Sequence, residues 1–155
     1  MTIGPCIRPA TEADVPEIAR IVEHAYREYI PRMGHPPAPM RDDYAARVAE
    51  GVVSVIEQGE AIAGLVVLLP MAEHLLLDNL AVAPAQQHRG LGRRLLAFAE
   101  AEALRLGYRE IRLYTHRTMV ENQRLYAAAG YRETGRGTVA GYDRVFMAKR
   151  LAHPA

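Results

Sequence analysis

Cysteine occurs once in this 155-residue chain, at Cys6. No disulfide within the chain is therefore available, and the cytoplasm is the expected compartment. An excess of charge is also missing: 19 basic against 18 acidic residues leave a net +1, too little for a protein that tracks a long polyanion, so no nucleic-acid partner is expected. The stretch from Met1 to Arg8 carries neither a long apolar run nor a cleavage signature. The longest apolar run, Ala61 to Ala72, is broken by Gly64 and Pro70. It is shorter than the roughly 20 residues a membrane-spanning helix requires; it reads as a buried strand, and no membrane partner is expected. Repeats and low-complexity tracts are absent, the nearest approach being His35-Pro36-Pro37-Ala38-Pro39. The histidines His24, His35, His88 and His153 show no metal-ligand spacing with cysteine or acid, so no metal is expected.

What is present is globular composition, with half of the residues apolar and 24% charged, in a length that fits one domain over residues 1–155. Cys6-Ile7-Arg8 reads as a first strand ended by Pro9. Thr11, with Asp14 three residues on, imitates a capping box. Val15, Ile18, Ile21, Val22, Ala25, Tyr26 and Tyr29 then recur at helical spacing. Pro31 is expected to end that helix, residues 31–39 to form a loop, and Met40 to Glu50 to form a second helix. Val52 to Glu57 and Ala61 to Leu69 flank Gln58-Gly59-Glu60 as a hairpin, and His74 to Val82 is the next strand. Gly92 to Leu106 is a helix, Glu110 to Thr115 a strand, and Val120 to Ala129 a helix. Tyr131 to Thr134 and Arg144 to Ala148 are final strands around a turn near Gly137 to Gly141. The order β-α-α-β-β-β-α-β-α-β-β predicts an α/β domain with one mixed central sheet.

One segment carries chemistry. The strand ending at Val82 runs through Ala83-Pro84-Ala85 into Gln87-His88-Arg89-Gly90-Leu91-Gly92, and a helix follows. The first amides of a helix have no internal partner, and the helix dipole is positive at that end. Glycine lets a bulky anion approach the backbone. A phosphate or pyrophosphate cradle results. A mononucleotide P-loop would end in Gly-Lys-Ser/Thr, whereas Arg93-Arg94 follow Gly92. A dinucleotide fingerprint would need a third glycine where Leu95 stands, and an acidic residue where Thr115-His116 stand.

Gln-x-x-Gly-x-Gly at residues 87–92 resembles the coenzyme A loop of the GNAT family of N-acetyltransferases. Asn79-Leu80-Ala81-Val82-Ala83-Pro84 upstream resembles that family's approach strand. Leu125-Tyr126-Ala127-Ala128-Ala129-Gly130-Tyr131 resembles its tyrosine-bearing helix, and Ile7-Arg8-Pro9-Ala10-Thr11-Glu12-Ala13-Asp14 its opening. The likeness extends over nearly the whole chain, in order. It implies an acetyl-CoA-dependent N-acetyltransferase acting on a primary amine of a small molecule, peptide or protein, by direct attack in a ternary complex. A non-catalytic acyl-CoA sensor or partner-binding module on the same fold is the alternative.

The resemblance also implies roles. A bulge just after Asp78 would splay the fourth strand from the fifth, and backbone groups of Leu80, Ala81 and Val82 would meet the pantetheine arm in that gap. One amide near Leu80 would steady the oxyanion. The amides of Gln87, His88, Arg89, Gly90, Leu91, Gly92 and Arg93 would hold the pyrophosphate. Arg89, Arg93 and Arg94 either assist there or are solvated helix charge. Tyr126 would protonate the leaving thiolate as general acid. Where the family often has an asparagine seven residues before the tyrosine, this chain has Met119; Asn122, on the same helical face as Tyr126, either reaches the cofactor or satisfies local backbone. Asp78 is the first candidate for a base, with Glu73, His74, His116 or a water chain as alternatives. The acceptor pocket is expected among Tyr26, Tyr29, Met33, His35, His116, Tyr142 and Asp143, with core packing as the other reading of Tyr26 and Tyr29. The family's frequent dimerisation through C-terminal strands makes a homodimer an option that this sequence leaves open.

Overall fold

The computed structural model describes residues 4–152; Met1 to Ile3 of the first stretch read above, and His153, lie outside them. Chain order is β1 (Cys6–Pro9), α1 (Val15–Tyr26), α2 (Ile30–Met33), α3 (Tyr44–Ala49), β2 (Val53–Gln58), β3 (Ala61–Pro70), β4 (Leu75–Val82), α4 (Leu91–Arg105), β5 (Glu110–His116), α5 (Val120–Ala128), β6 (Arg132–Val139) and β7 (Tyr142–Arg150). The sheet order is β1-β2-β3-β4-β5-β7-β6. Only β4 and β5 pair in parallel, as their connection through α4 demands. The mixed α/β architecture is the expected one.

Three local boundaries differ from the sequence reading. Pro31 does not end the first helix: α1 closes through a 3-10 turn at Arg27–Tyr29, α2 restarts with Pro31 in its first turn, and Gly34 at φ 80° ends it. Proline lacks only an amide that the first helical turn does not use. The second long helix begins at Tyr44 rather than Met40, because Asp43 takes an extended backbone and its carboxylate accepts from the Ala46 amide at 3.1 Å. The last hairpin is longer than expected: β6 runs through Gly135 and Gly137, and the turn is Ala140-Gly141, both at positive φ (51° and 84°). Two such residues are what a tight hairpin needs.

Apolar faces put helices on both sides of the sheet. Ile18, Ile21 and Val22 of α1 and Tyr44 of α3 pack on Val53, Val55, Leu65 and Val67. On the other side Leu95, Leu96, Ala99 and Ala103 of α4 and Tyr126 of α5 pack on Leu75, Leu77, Ile111 and Leu113. Each buried aliphatic side chain contributes about 1.5–3 kcal/mol relative to exposure. Gly64 of β3 permits the closest approach, since a Cβ there would lie 2.7 Å from the Ala81 carbonyl oxygen and 3.4 Å from Leu95.

The start of α1 is fixed electrostatically. The Asp14 carboxylate accepts from the Thr11 amide at 2.7 Å and from both Arg8 terminal nitrogens at 2.7 and 3.0 Å, while Arg8 also pairs with Glu57 across β1 and β2. The Arg8 guanidinium holds the Asp14 carboxyl well below the usual carboxylate range.

Candidate active site

The site arises from one irregularity in β4. Val67 of β3 faces Asn79, but the next residue, Leu68, faces Leu77. Asp78 is therefore an extra residue, a bulge, and a bulge bends its strand and disrupts the ladder. Beyond it β4 leaves β5: the parallel pairing covers only Leu75–Leu77 against Ile111–Leu113. A gap opens between the C-terminal halves of the two strands. This is the position at which open α/β sheets hold ligands.

Two cavities meet at this gap. The first is a cleft of about 880 Å³, within the usual size range of small-molecule sites. Leu80, Ala81 and Val82 form one wall, the 86–93 loop its end, and Asn122, Arg124 and Leu125 of α5 the other wall. Gly90 caps α4 at φ 78°, and His88 adopts φ 66°, an uncommon conformation for a residue with a side chain. Among the described residues nothing accepts from the amides of residues 88–93. They converge with the positive end of the α4 dipole, which fits a phosphate-bearing group. Gln87 departs from expectation in part: its amide lies 3.4 Å from the Pro84 carbonyl and its side chain donates to the Val82 carbonyl at 3.2 Å. The side chains of Arg89 and Arg94 do not line the cleft, and Arg94 reaches back towards the Pro5 carbonyl at 3.5 Å.

The second cavity, on the other side of the gap, is lined by Leu77, Asp78, Asn79, Leu80, Tyr114, His116, Asn122, Tyr126, Tyr142 and Arg144, under a roof of Met33 and Pro37–Pro39. Tyr26, Leu80 and Asn122 border both cavities. The Tyr126 hydroxyl makes no hydrogen bond to any described residue. Its ring packs edge-on against Tyr131, and burial raises its phenol above the ordinary value. It is therefore a neutral acid with a free proton, aimed into the cavity. Asp78 is half-buried and accepts a hydrogen bond from the Tyr114 hydroxyl, so its carboxylate faces the cavity and not the outer surface.

The other expected residues divide. Tyr26 is buried and donates to Asn79 Oδ1 at 2.6 Å and to the Leu80 carbonyl at 3.1 Å; it braces the bulge and is pushed well above the ordinary phenol range by burial. Tyr29 lines the 880 Å³ cleft, beneath the Arg32–Glu121 pair, and burial pushes its phenol up to about 12. His116 is buried; Thr118 donates its amide to His116 Nδ1 at 3.1 Å, which places the neutral ring's proton on Nε2. Burial lowers its pKa below the usual 6.5, so it is uncharged near neutrality. Tyr142 donates to the Pro36 carbonyl at 3.1 Å and stacks edge-on with His35 at 4.9 Å, pinning the roof. Asn122 reaches Met119 Sδ at 3.7 Å. Asp143 does not line the cavity; it pairs with Arg117 at 3.4 Å and Thr138 at 3.0 Å. Glu73 is exposed and His74 opens on a different surface of the sheet.

A family model described as acetyltransferase (GNAT) family matches residues 18–131. The chain belongs to the GNAT family. No curated protein matches the chain in sequence. Solved GNAT structures agree in fold. The PaiA N-acetyltransferase of Thermoplasma acidophilum, in complex with coenzyme A, superposes with TM-score 0.81 at 18% identity, over 96% of this chain and all of that one. yncA, a putative acetyltransferase of Salmonella typhimurium with acetyl-CoA, gives 0.74 at 24% identity over 99% and 97%. The ribosomal-protein-S18-alanine N-acetyltransferase of Escherichia coli gives 0.76 at 20% identity over 97% and 96%.

Within this GNAT chain, four site residues escaped the sequence reading. Asn79 is 3% exposed and joins Tyr26 to Tyr44, whose hydroxyl accepts from Asn79 Nδ2 at 3.0 Å. A polar residue within an apolar strand was its only signal. Arg124 on the cleft wall is one more arginine on a helix, and Tyr114 and Arg144 sit in strands whose alternation does not reveal which face is open. Among the described residues no group of three or more His, Cys, Asp or Glu could hold a metal, and no helix is long and apolar enough to cross a membrane.

Proposed function

We propose that this protein transfers the acetyl group of acetyl-CoA to a primary amine by direct attack in a ternary complex. One observation carries the reading: the gap beside Asp78 lies between a cleft that ends in unpartnered helix-start amides and a cavity holding a free buried phenol and a carboxylate. The amides of residues 88–93 and the side chains of Arg93 and Arg124 receive the phosphates. The pantetheine arm lies along Leu80–Val82, whose edge facing β5 is open. The thioester then reaches Tyr126, with an amide near Leu80 on its carbonyl oxygen.

The amine enters from the Asp78 side. Arriving as an ammonium, it gives one proton to solvent; as its lone pair forms a C–N bond at the carbonyl carbon, the nitrogen passes a second proton to Asp78, directly or through water. Collapse of the tetrahedral intermediate breaks the C–S bond, and the thiolate takes the Tyr126 proton. Amide and free thiol leave; Tyr126 regains a proton from solvent or from the proton passed to Asp78. Burial supports Tyr126 as the acid, because it keeps the phenol protonated until sulfur demands the proton.

The test is thiol release from acetyl-CoA with a panel of polyamines, amino acids, aminoglycosides and peptides with free N-termini. Turnover with one class establishes the reaction. Calorimetric binding of coenzyme A without turnover on any amine would favour the sensor reading, and absence of binding would overturn the assignment of residues 88–93.

A further inference from the structure

Arg144 is the charged group in the acceptor cavity that the proposed chemistry does not use. It stands on β7 opposite His116, and its guanidinium lies 4.0 Å above the ring of Tyr114, its diagonal neighbour on β5. Such diagonal cross-strand neighbours are within reach of long side chains. Among the described residues no carboxylate lies within ion-pair distance of Arg144, and its guanidinium makes no hydrogen bond. The cation–π contact holds the plane in place and leaves the donor edges free. Other arginines near the cavity are already matched: Arg47 pairs with Asp42 at 3.2 Å, Arg117 with Asp143 and Arg32 with Glu121.

Tyr114 thus carries opposite charges at two places. Its hydroxyl donates to Asp78, and its ring face supports Arg144. Both charges line the same cavity without touching each other. An ammonium group favours the carboxylate, and a planar carboxylate matches the fork of the guanidinium. The roof and floor between them, Met33, Pro37, Leu77 and Met119, are apolar. His116 is neutral near pH 7 and adds no second positive charge for an anion, and the phenols of Tyr26 and Tyr126 in the same lining are kept neutral by burial.

We infer that the acceptor is a free amino acid, its carboxylate held by Arg144 and its amine turned towards Asp78. This rests on the acetyl-transfer reading and narrows it. A polyamine or aminoglycoside has no carboxylate for Arg144, and a peptide or protein N-terminus places an amide there.

The test compares rates for free amino acids with those for their carboxamides, each expressed per unprotonated amine, since the amide lowers the amine's own pKa. Wild type is expected to favour the acids by about 10- to 100-fold in kcat/KM, the worth of a charged hydrogen bond. Arg144→Gln should collapse that ratio chiefly through KM, and Arg144→Lys should keep part of it. Thermal stabilisation of both variants by coenzyme A would show that they are folded. Equal turnover of acids and amides, or a ratio unmoved in Arg144→Gln, overturns the inference while acetyl transfer stands. Failure of every amine class to release thiol would instead remove the reading beneath it.

Discussion

The Tyr26 hydroxyl donates to Asn79 Oδ1 at 2.6 Å, and Asn79 donates in turn to the Tyr44 hydroxyl at 3.0 Å. This chain of side chains ties α1 and α3 to the residue that follows the Asp78 bulge. It holds β4 in its bent course while the strand is separated from β5. Asn79→Leu would take one partner from each of two buried phenols, leaving Tyr26 only the Leu80 carbonyl and Tyr44 only the Pro39 carbonyl. The expected loss is about 2–4 kcal/mol in urea unfolding, with a fall in kcat beyond what coenzyme A affinity explains. An unchanged midpoint would show that the network does not brace the bulge.

Tyr126→Phe removes the proposed acid and keeps the ring. We expect kcat to drop by roughly 10²–10⁴-fold, with coenzyme A affinity by calorimetry nearly unchanged. A rate within a fewfold of wild type would mean that another group, or water, protonates the thiolate.

The pH dependence has a definite sign. Burial raises the Tyr126 phenol above 10.0, so its acid form persists through the range in which amines lose their protons. The rate should climb with pH and show no decline before about pH 9.5. A descending limb near pH 8, absent from Tyr126→Phe, would contradict the buried neutral phenol.

Asp14 gives a separate stability prediction. Its carboxyl is held below the ordinary value of 3.8, first by Arg8. Because the folded value is depressed, the stabilisation is present above that ordinary value and is lost as pH falls below it. Asp14→Asn should cost roughly 1–3 kcal/mol at pH 7, and the difference from wild type should shrink below about pH 3.5.

Gly64→Ala tests the contact between β3 and β4. The added Cβ would meet the Ala81 carbonyl oxygen at 2.7 Å, which the backbone cannot evade without moving a wall of the 880 Å³ cleft. A cost of about 1–3 kcal/mol is expected, with weaker coenzyme A binding by calorimetry.

Much of this was legible in the residue order. The glycine loop, the helix after it and the tyrosine before Gly130 are local signals, and local physics fixes their structure. The bulge was expected only through the family likeness, just after Asp78 rather than at it: Leu75-Leu76-Leu77 and Leu80-Ala81-Val82 are apolar on both faces, so no alternation betrays an extra residue at Asp78. Asn79, with partners 35 and 53 residues away, becomes meaningful only once the helices are docked. Pro31 misled because proline terminates a helix from within yet suits the first turn of the next. Tyr26 read equally as core and as pocket residue, and it is buried while bordering both cavities.

The parallel seam between β4 and β5 has only the pairs Leu75–Ile111, Leu76–Arg112 and Leu77–Leu113. The sheet is in effect two panels hinged along a short edge, β1–β4 on one side and β5–β7 on the other. An acyl donor lying in the open part of the seam would act as mortar, adding contacts to both panels where the backbone adds none. Amide hydrogen exchange should then register the two panels as separate opening units in the free protein. With coenzyme A bound, protection should rise along both borders of the seam together, while β1 and β6 at the outer edges change least.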